Sequence, residues 1–182
     1  MKKEKIPFPK YKFDAEVISP ELKEQIYAKK GEGDNFQMEH KYLKAIEKFK
    51  EAWELLPEPK YQWKYVFVLL SSIAENYRLN GKFNAGKGGG FEESLEFLRM
   101  NMSIESEFRN AYNHVEIGNV YYDMGKMDKA IQEFVLAYLL EDNKLTIKMQ
   151  LGGTFYKLIE PIINDEEKLS KYIIDEETYI ID

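Results

Sequence analysis

Three segments of the chain repeat one spacing of small and large apolar residues. They are HKYLKAIEKFKEAWELLP from His40, GKF at 81–83 continued by EESLEFLRMNMS from Glu92, and GKMDKAIQEFVLAYLLED from Gly125. In the alignment Ala45, Ser94 and Ala130 coincide, as do Phe49, Leu98 and Phe134. Small residues recur where two helices approach closely, and large apolar residues at this spacing form one helical face. Each segment is therefore predicted to be the second helix of a helical hairpin.

The segments before them carry the pattern expected of the first helices. A small residue is followed three positions later by an aromatic residue at Gly33 and Phe36, Ala74 and Tyr77, Gly118 and Tyr121, and Gly152 and Phe155. Two residues at this spacing lie on the same side of a helix. The sequence therefore predicts an all-α protein made of consecutive helical hairpins.

This order of small and aromatic positions resembles the tetratricopeptide repeat (TPR) family, in which a proline such as Pro57 often closes the unit. The resemblance covers about 26–57, 66–106 and 111–142, with a partial unit at 145–160. Three positions depart from the pattern: His114 replaces the usual tryptophan, Asn101 a small residue and Asp142 the closing proline. The resemblance implies a solenoid of about three to four repeats. We expect one domain at 21–160, a basic extended arm at 1–20 and an acidic cap or tail at 161–182.

A glycine-rich stretch, GKFNAGKGGGF at 81–91, is close to the phosphate-binding pattern G-x-x-x-x-G-K-[ST], but Gly88 stands where the hydroxyl residue belongs. Deleting 84–91 joins GKF to EESLEFL and reproduces GKMDKAIQEF. The stretch is therefore predicted to be an insertion between two helices, and the preceding YQWKYVFVLLSSIAENYRLN is predicted to be a helix rather than the strand that precedes a phosphate loop. The insertion is interpreted as a mobile loop or as a contact arm. Nucleotide binding at 81–88 is kept as a further alternative.

Few residues are available for catalysis or for metal binding. The chain has no cysteine and two histidines, His40 and His114. His114 lies on an apolar stripe and is interpreted as a core residue, whereas His40 is placed in a solvated turn. No catalytic set can be assembled, and Glu92 and Glu93 are adjacent, so they diverge on a helix and are interpreted as favourable charge at its start. We expect a protein that is not an enzyme and that has no cofactor and no metal.

Charge is concentrated at the two ends. Residues 160–182 carry a net charge of −6, equal to that of the whole chain, and the first twelve residues carry five lysines and one glutamate. This distribution disfavours nucleic acid as a partner except at the N-terminal arm. No uncharged apolar run of membrane length occurs, so no membrane association is expected and a cytoplasmic location is predicted.

The resemblance implies that the first helices line a concave binding face. The candidate partner-binding residues are Lys30, Asp34, Ser71, Glu75, Arg78, Tyr112, Asn119, Tyr122, Asp123 and Tyr156. Val115 and Met149 either share this face or pack between repeats. Family members that grip chaperone tails present paired lysine and asparagine, but here Lys30 is followed by Asp34 and only Asn119 matches. The departure favours a protein partner that is at least partly basic.

Two classes of function stay open. A small stand-alone repeat protein of this kind is similar to bacterial immunity proteins, which neutralise a toxin, and to the repeat-type chaperones of secretion systems. The alternative is a general scaffold or assembly adaptor with several partners. The tail DEEKLSKYIIDEETYIID interleaves acids with apolar pairs. It is interpreted as a helix that caps the last repeat, or as a free acidic arm that contacts a basic partner.

Overall fold

The computed structural model describes residues 18–63, 65–104 and 110–172 of the chain. Over these residues it contains eight α-helices and one 3-10 turn at Lys60–Gln62. The helices are α1 (Pro20–Met38), α2 (Tyr42–Glu54), α3 (Tyr65–Phe83), α4 (Phe91–Met102), α5 (Ala111–Asp123), α6 (Met127–Leu140), α7 (Lys144–Ile163) and α8 (Glu166–Ser170). The predicted all-α class is confirmed. Residues 1–17 of the predicted arm and 173–182 of the predicted tail lie outside the described residues.

The described residues form two compact units, which we call the N-terminal unit (18–104) and the C-terminal unit (110–172). The sequence predicted one domain over 21–160, and this range spans both units. The N-terminal unit contains α1 to α4, and the C-terminal unit contains α5 to α8.

In the N-terminal unit each helix packs against the next along the chain, α1 on α2, α2 on α3 and α3 on α4. Its fully buried apolar side chains include Phe49, Leu69, Leu70 and Ile73. The Trp63 indole N–H donates to the Pro57 carbonyl oxygen at 2.6 Å and fixes the connection between α2 and α3. Burying such side chains stabilises the fold by about 1.5–3 kcal/mol each, so this shared core holds the two hairpins together.

The small residues lie where helices cross closely. A Cβ atom on Gly33 in α1 would lie 2.7 Å from Cε1 of Phe49 in α2. In the second hairpin the Ser94 hydroxyl donates to the Ala74 carbonyl oxygen at 2.7 Å, so α4 approaches the backbone of α3. Larger side chains at Gly33 or Ser94 would push these helices apart.

The C-terminal unit begins with the hairpin of α5 and α6, followed by α7 on α6 and by α8 on α7. A Cβ on Gly118 would collide with the Phe134 ring, as in the first hairpin. Phe155 of α7 stacks on Phe134 with ring centroids 4.8 Å apart and meets the edge of Tyr122 at 4.8 Å. This aromatic cluster joins α7 to the α5–α6 hairpin.

Gly152 differs from its counterparts at the small positions. It was predicted to permit close helix packing, but a Cβ there would meet no atom within 4 Å. Its backbone has φ 66° and ψ 171°, so it interrupts α7 instead. Glycine adopts a positive φ without the steric cost that other residues incur. The range 145–160, where a partial unit was predicted, is therefore two helical segments joined by a kink.

Candidate functional site

The first helices of the N-terminal unit, α1 and α3, lie side by side and run in the same direction. Tyr27, in the first half of α1, meets Tyr65, the first residue of α3, edge to face with ring centroids 5.6 Å apart. Ten and eleven residues further on, the Asn76 side-chain amide donates to the Gln37 oxygen at 2.9 Å. Because the two contacts are about equally far apart along both helices, α1 and α3 run parallel. Their exposed sides form one surface, which we call the α1/α3 face.

Two sequence-predicted residues on the α1/α3 face neutralise each other. The Lys30 ammonium group lies 2.8 Å from the Asp34 carboxylate, four residues along α1. This spacing brings oppositely charged side chains together on a helix surface and was visible in the sequence. Asp34 is therefore already compensated and contributes less negative charge than the sequence analysis assumed.

The same face carries two exposed apolar side chains that sequence reasoning missed. Tyr27 is 50% exposed and lies three residues before Lys30, and Val68 is 41% exposed and lies three residues before Ser71. Only the folded unit shows that these two side chains are exposed, because the sequence does not indicate which apolar residues stay at the surface. They add apolar contact area to a face that was predicted from polar residues.

The three predicted residues of α3 have different surroundings. The Ser71 hydroxyl accepts a hydrogen bond from the Asn101 side-chain amide at 2.9 Å and so ties α3 to α4. Glu75 is half-buried and forms no ion pair with any other described residue. Arg78 is half-buried as well. Of the two acids predicted for this face, Asp34 is therefore paired and Glu75 is not.

The other five predicted residues lie in the C-terminal unit. Tyr112 is exposed, and the Asn119 amide donates to Glu116 at 3.3 Å. Tyr122 packs on Phe155, Asp123 is half-buried, and the Lys148 ammonium group lies 4.8 Å from the Tyr156 ring centroid. Of the two residues with alternative roles, Val115 is buried and Met149 is 74% exposed. The structure thus divides the predicted face into two groups of five, one in each unit.

His114 is buried, as expected, but it has an acidic partner that the sequence did not reveal. Its Nδ1 atom lies 2.7 Å from an oxygen of Glu133, and the two side chains are 0% and 3% exposed. This contact could not be predicted from the sequence, because only the α5–α6 hairpin brings together residues nineteen positions apart. With both side chains buried, the pair joins α5 to α6 within the core.

The glycine-rich stretch folds into a packed loop between α3 and α4. The buried Asn80 amide donates to the carbonyl oxygens of Lys87 at 3.1 Å and Gly89 at 2.6 Å. Its own oxygen accepts from the Asn84 amide at 2.9 Å. These bonds and the contact of Gly88 with Leu43 favour a fixed loop over the mobile loop considered above.

The start of α4 is occupied by one of the chain's own carboxylates. The Gly90 backbone N–H donates to the Glu93 carboxylate at 2.6 Å, and this bond holds the pKa of Glu93 below its usual range. A phosphate loop would offer its helix N-terminus to the ligand. Here the loop follows a helix, α3, and an acid fills the position that a phosphate would take.

Comparison with models of known protein families and with the sequences of curated proteins gave no match. In the part of the chain that the structure describes, no three acidic, histidine or cysteine side chains form a group able to hold a metal ion. Among the same residues, no helix is long and apolar enough to cross a membrane.

Proposed function

We propose that this chain is a TPR-type helical repeat protein whose function is to bind another protein. The observation that carries the proposal is the α1/α3 face, where the exposed side chains of Tyr27 and Val68 lie beside the Lys30–Asp34 pair and Glu75. Tyrosine supplies a large contact area and a polar group at low entropic cost, and it is enriched at protein interfaces. A rigid helical pair that presents such residues is suited to recognise a folded or extended partner.

The repeat assignment is supported by the regular separation of the packing positions. Sixteen residues separate Gly33 from Phe49 and Gly118 from Phe134, and each glycine faces the aromatic ring of its own pair. Ala74 and Leu98, the equivalent positions of the second hairpin, are twenty-four residues apart. The excess equals the eight-residue insertion at 84–91. One hairpin geometry therefore accounts for all three spacings.

The proposed partner carries an apolar anchor and a basic group. The anchor would pack on Tyr27 and Val68, and the basic group would face Glu75. Such a partner is compatible with a dedicated role, as an immunity protein that neutralises a toxin or as a secretion chaperone. A scaffold or adaptor with several partners would use the same face. A single partner that is encoded next to this chain and saturates it at one-to-one stoichiometry would support the dedicated role.

The test begins with a photo-crosslinking amino acid at position 27, introduced into the full chain in its native cell. Met127, a similarly exposed apolar residue of α6, is the matched control position. A partner captured at position 27 is purified, and its affinity is then measured for the double variant Tyr27→Ala/Val68→Ser and for Met127→Ala.

We expect the double variant to weaken binding by about 2 kcal/mol, roughly thirtyfold, because interface anchors commonly contribute this much. Met127→Ala should change affinity less than twofold. Equal affinities for the double variant and the unmodified chain would exclude the α1/α3 face as the binding surface.

A further inference from the structure

A groove of about 570 Å³ lies at the end of the N-terminal unit where the glycine loop meets the start of α2. We call it the loop-end groove. Its lining includes Lys41, Lys44, Lys87, His40, Tyr42 and Leu43, and none of its described lining residues is acidic. The Glu39 carboxylate nearby is held by Lys41 at 2.6 Å. Lys44 and Lys87 form no ion pair with any other described residue, although the Glu39 carboxylate also attracts Lys44. Three lysines against this one nearby acid leave the groove with a net positive charge.

Two of the three exposed lysines of the groove lie against an aromatic ring, and the third extends from a backbone that is fixed by hydrogen bonds. The Lys44 ammonium group lies 5.7 Å from the Phe36 ring centroid, and that of Lys41 lies 6.0 Å from it. Lys87 belongs to the glycine loop, and its backbone carbonyl oxygen accepts a hydrogen bond from the buried Asn80 side-chain amide. Charges that are already positioned lose less conformational entropy when a ligand binds. The loop-end groove is therefore suited to attract an anionic group.

Apolar surface lies next to these charges. Leu43 is 44% exposed in the groove, and Phe83, which is 62% exposed, stacks on Tyr42 with centroids 6.2 Å apart. A free phosphate or carboxylate ion would make no use of such surface. A peptide that places an aliphatic or aromatic side chain next to its carboxylates would use both.

The net charge of the chain argues against a long polyanion. At −6, the protein as a whole repels nucleic acid, and the groove itself offers only three lysines. A short acidic segment would meet the lysines without approaching the rest of the surface. We propose that the loop-end groove binds a short acidic peptide segment that carries at least one aliphatic or aromatic side chain. This binding site is separate from the α1/α3 face and does not depend on its function.

The test uses the full chain and a fluorescein-labelled synthetic peptide of aspartate and glutamate that contains one leucine and one phenylalanine. Binding is followed by fluorescence anisotropy at about 50 mM salt, where exposed charges are weakly screened. We expect saturable binding that the double variant Lys44→Glu/Lys87→Glu weakens at least about tenfold. The control Lys157→Glu/Lys171→Glu makes the same change in net charge at exposed lysines outside the groove, and it should weaken binding less than twofold.

Phe83→Ala separates a peptide site from a simple anion site. We expect it to weaken peptide binding several-fold while circular dichroism stays unchanged and the melting temperature falls only slightly, since the ring is mostly exposed and loses one stacking contact with Tyr42. The proposal is overturned if the peptide does not bind saturably, if both double variants lose affinity equally, or if Phe83→Ala has no effect and inorganic phosphate displaces the peptide. Tighter binding of a single-stranded oligonucleotide than of the peptide would also overturn it, in favour of nucleic acid.

Discussion

Replacing Gly33 and Gly31 by alanine, one at a time, tests the close helix contact on which the hairpin assignment rests. Both glycines lie inside α1, and both gain helix propensity as alanine, which by itself stabilises by about 0.5–1 kcal/mol. A Cβ on Gly31 would meet nothing within 4 Å, whereas one on Gly33 would lie 2.7 Å from the buried Phe49 ring. Gly31 is therefore a matched control in the same helix.

The difference between the two variants isolates the packing cost. Carbon atoms attract best at about 3.5–4.0 Å, so the Phe49 ring or α1 itself must shift in Gly33→Ala. Overpacking of this kind costs about 1–3 kcal/mol. Because the gain in helix propensity is common to both variants, we expect Gly33→Ala to be less stable than Gly31→Ala by about 2 kcal/mol.

Tryptophan fluorescence during urea unfolding measures this difference for the N-terminal unit alone, because both tryptophans of the chain, Trp53 and Trp63, belong to it. With a slope of about 1.3 kcal/mol per molar urea, the midpoints should differ by about 1.5 M. Equal midpoints for the two variants would refute the close approach of α1 and α2 and, with it, the repeat assignment at Gly33.

Four further outcomes are expected. Asn80→Ala should destabilise the N-terminal unit by about 2 kcal/mol, because it leaves two carbonyl groups of the loop without their donor. Lys87→Ala should leave stability unchanged, and titration with magnesium ATP in a calorimeter should give no saturable heat with either the unmodified chain or this variant. Glu93→Gln should lower the free energy of unfolding by about 0.5 kcal/mol near pH 7. Because the folded-state pKa of Glu93 lies below its ordinary value of 4.5, this loss should persist as the pH falls to 4.5 and disappear at lower pH. Glu133→Leu should destabilise the C-terminal unit by about 3 kcal/mol, as measured by unfolding followed by circular dichroism. Adding His114→Leu should restore most of this stability, because replacing both partners of a buried pair costs less than removing one.

The helical hairpins could be predicted because their signal is local. The small and large residues of one helix follow its periodicity, so the positions of Gly33, Gly118 and their aromatic neighbours are visible in the sequence. The Lys30–Asp34 pair was equally accessible, since the four-residue spacing on a predicted helix is sufficient to suggest it. Both side chains were predicted to lie on one face, but the ion pair between them was not predicted.

The remaining features depend on contacts between distant residues. Glu133 has the charge of an exposed helix position, and only the crossing of α5 and α6 makes it a buried partner of His114. The order in the glycine loop depends on Asn80, whose side chain faces the loop only once α3 and α4 have packed. Gly152 has the same sequence context as the other small positions, but it adopts a positive φ that its neighbours in the chain do not predict.

The glycine loop leaves α3 and returns to the start of α4 at almost the same point. A Cβ on Gly90 would lie 3.3 Å from the Gly81 Cα, so the chain returns almost to the point at which it left α3. An insertion whose two ends meet leaves the helices on either side in their original positions. A segment with this path can change in length without moving α3 and α4, provided that it keeps the two carbonyl oxygens that pair with buried Asn80.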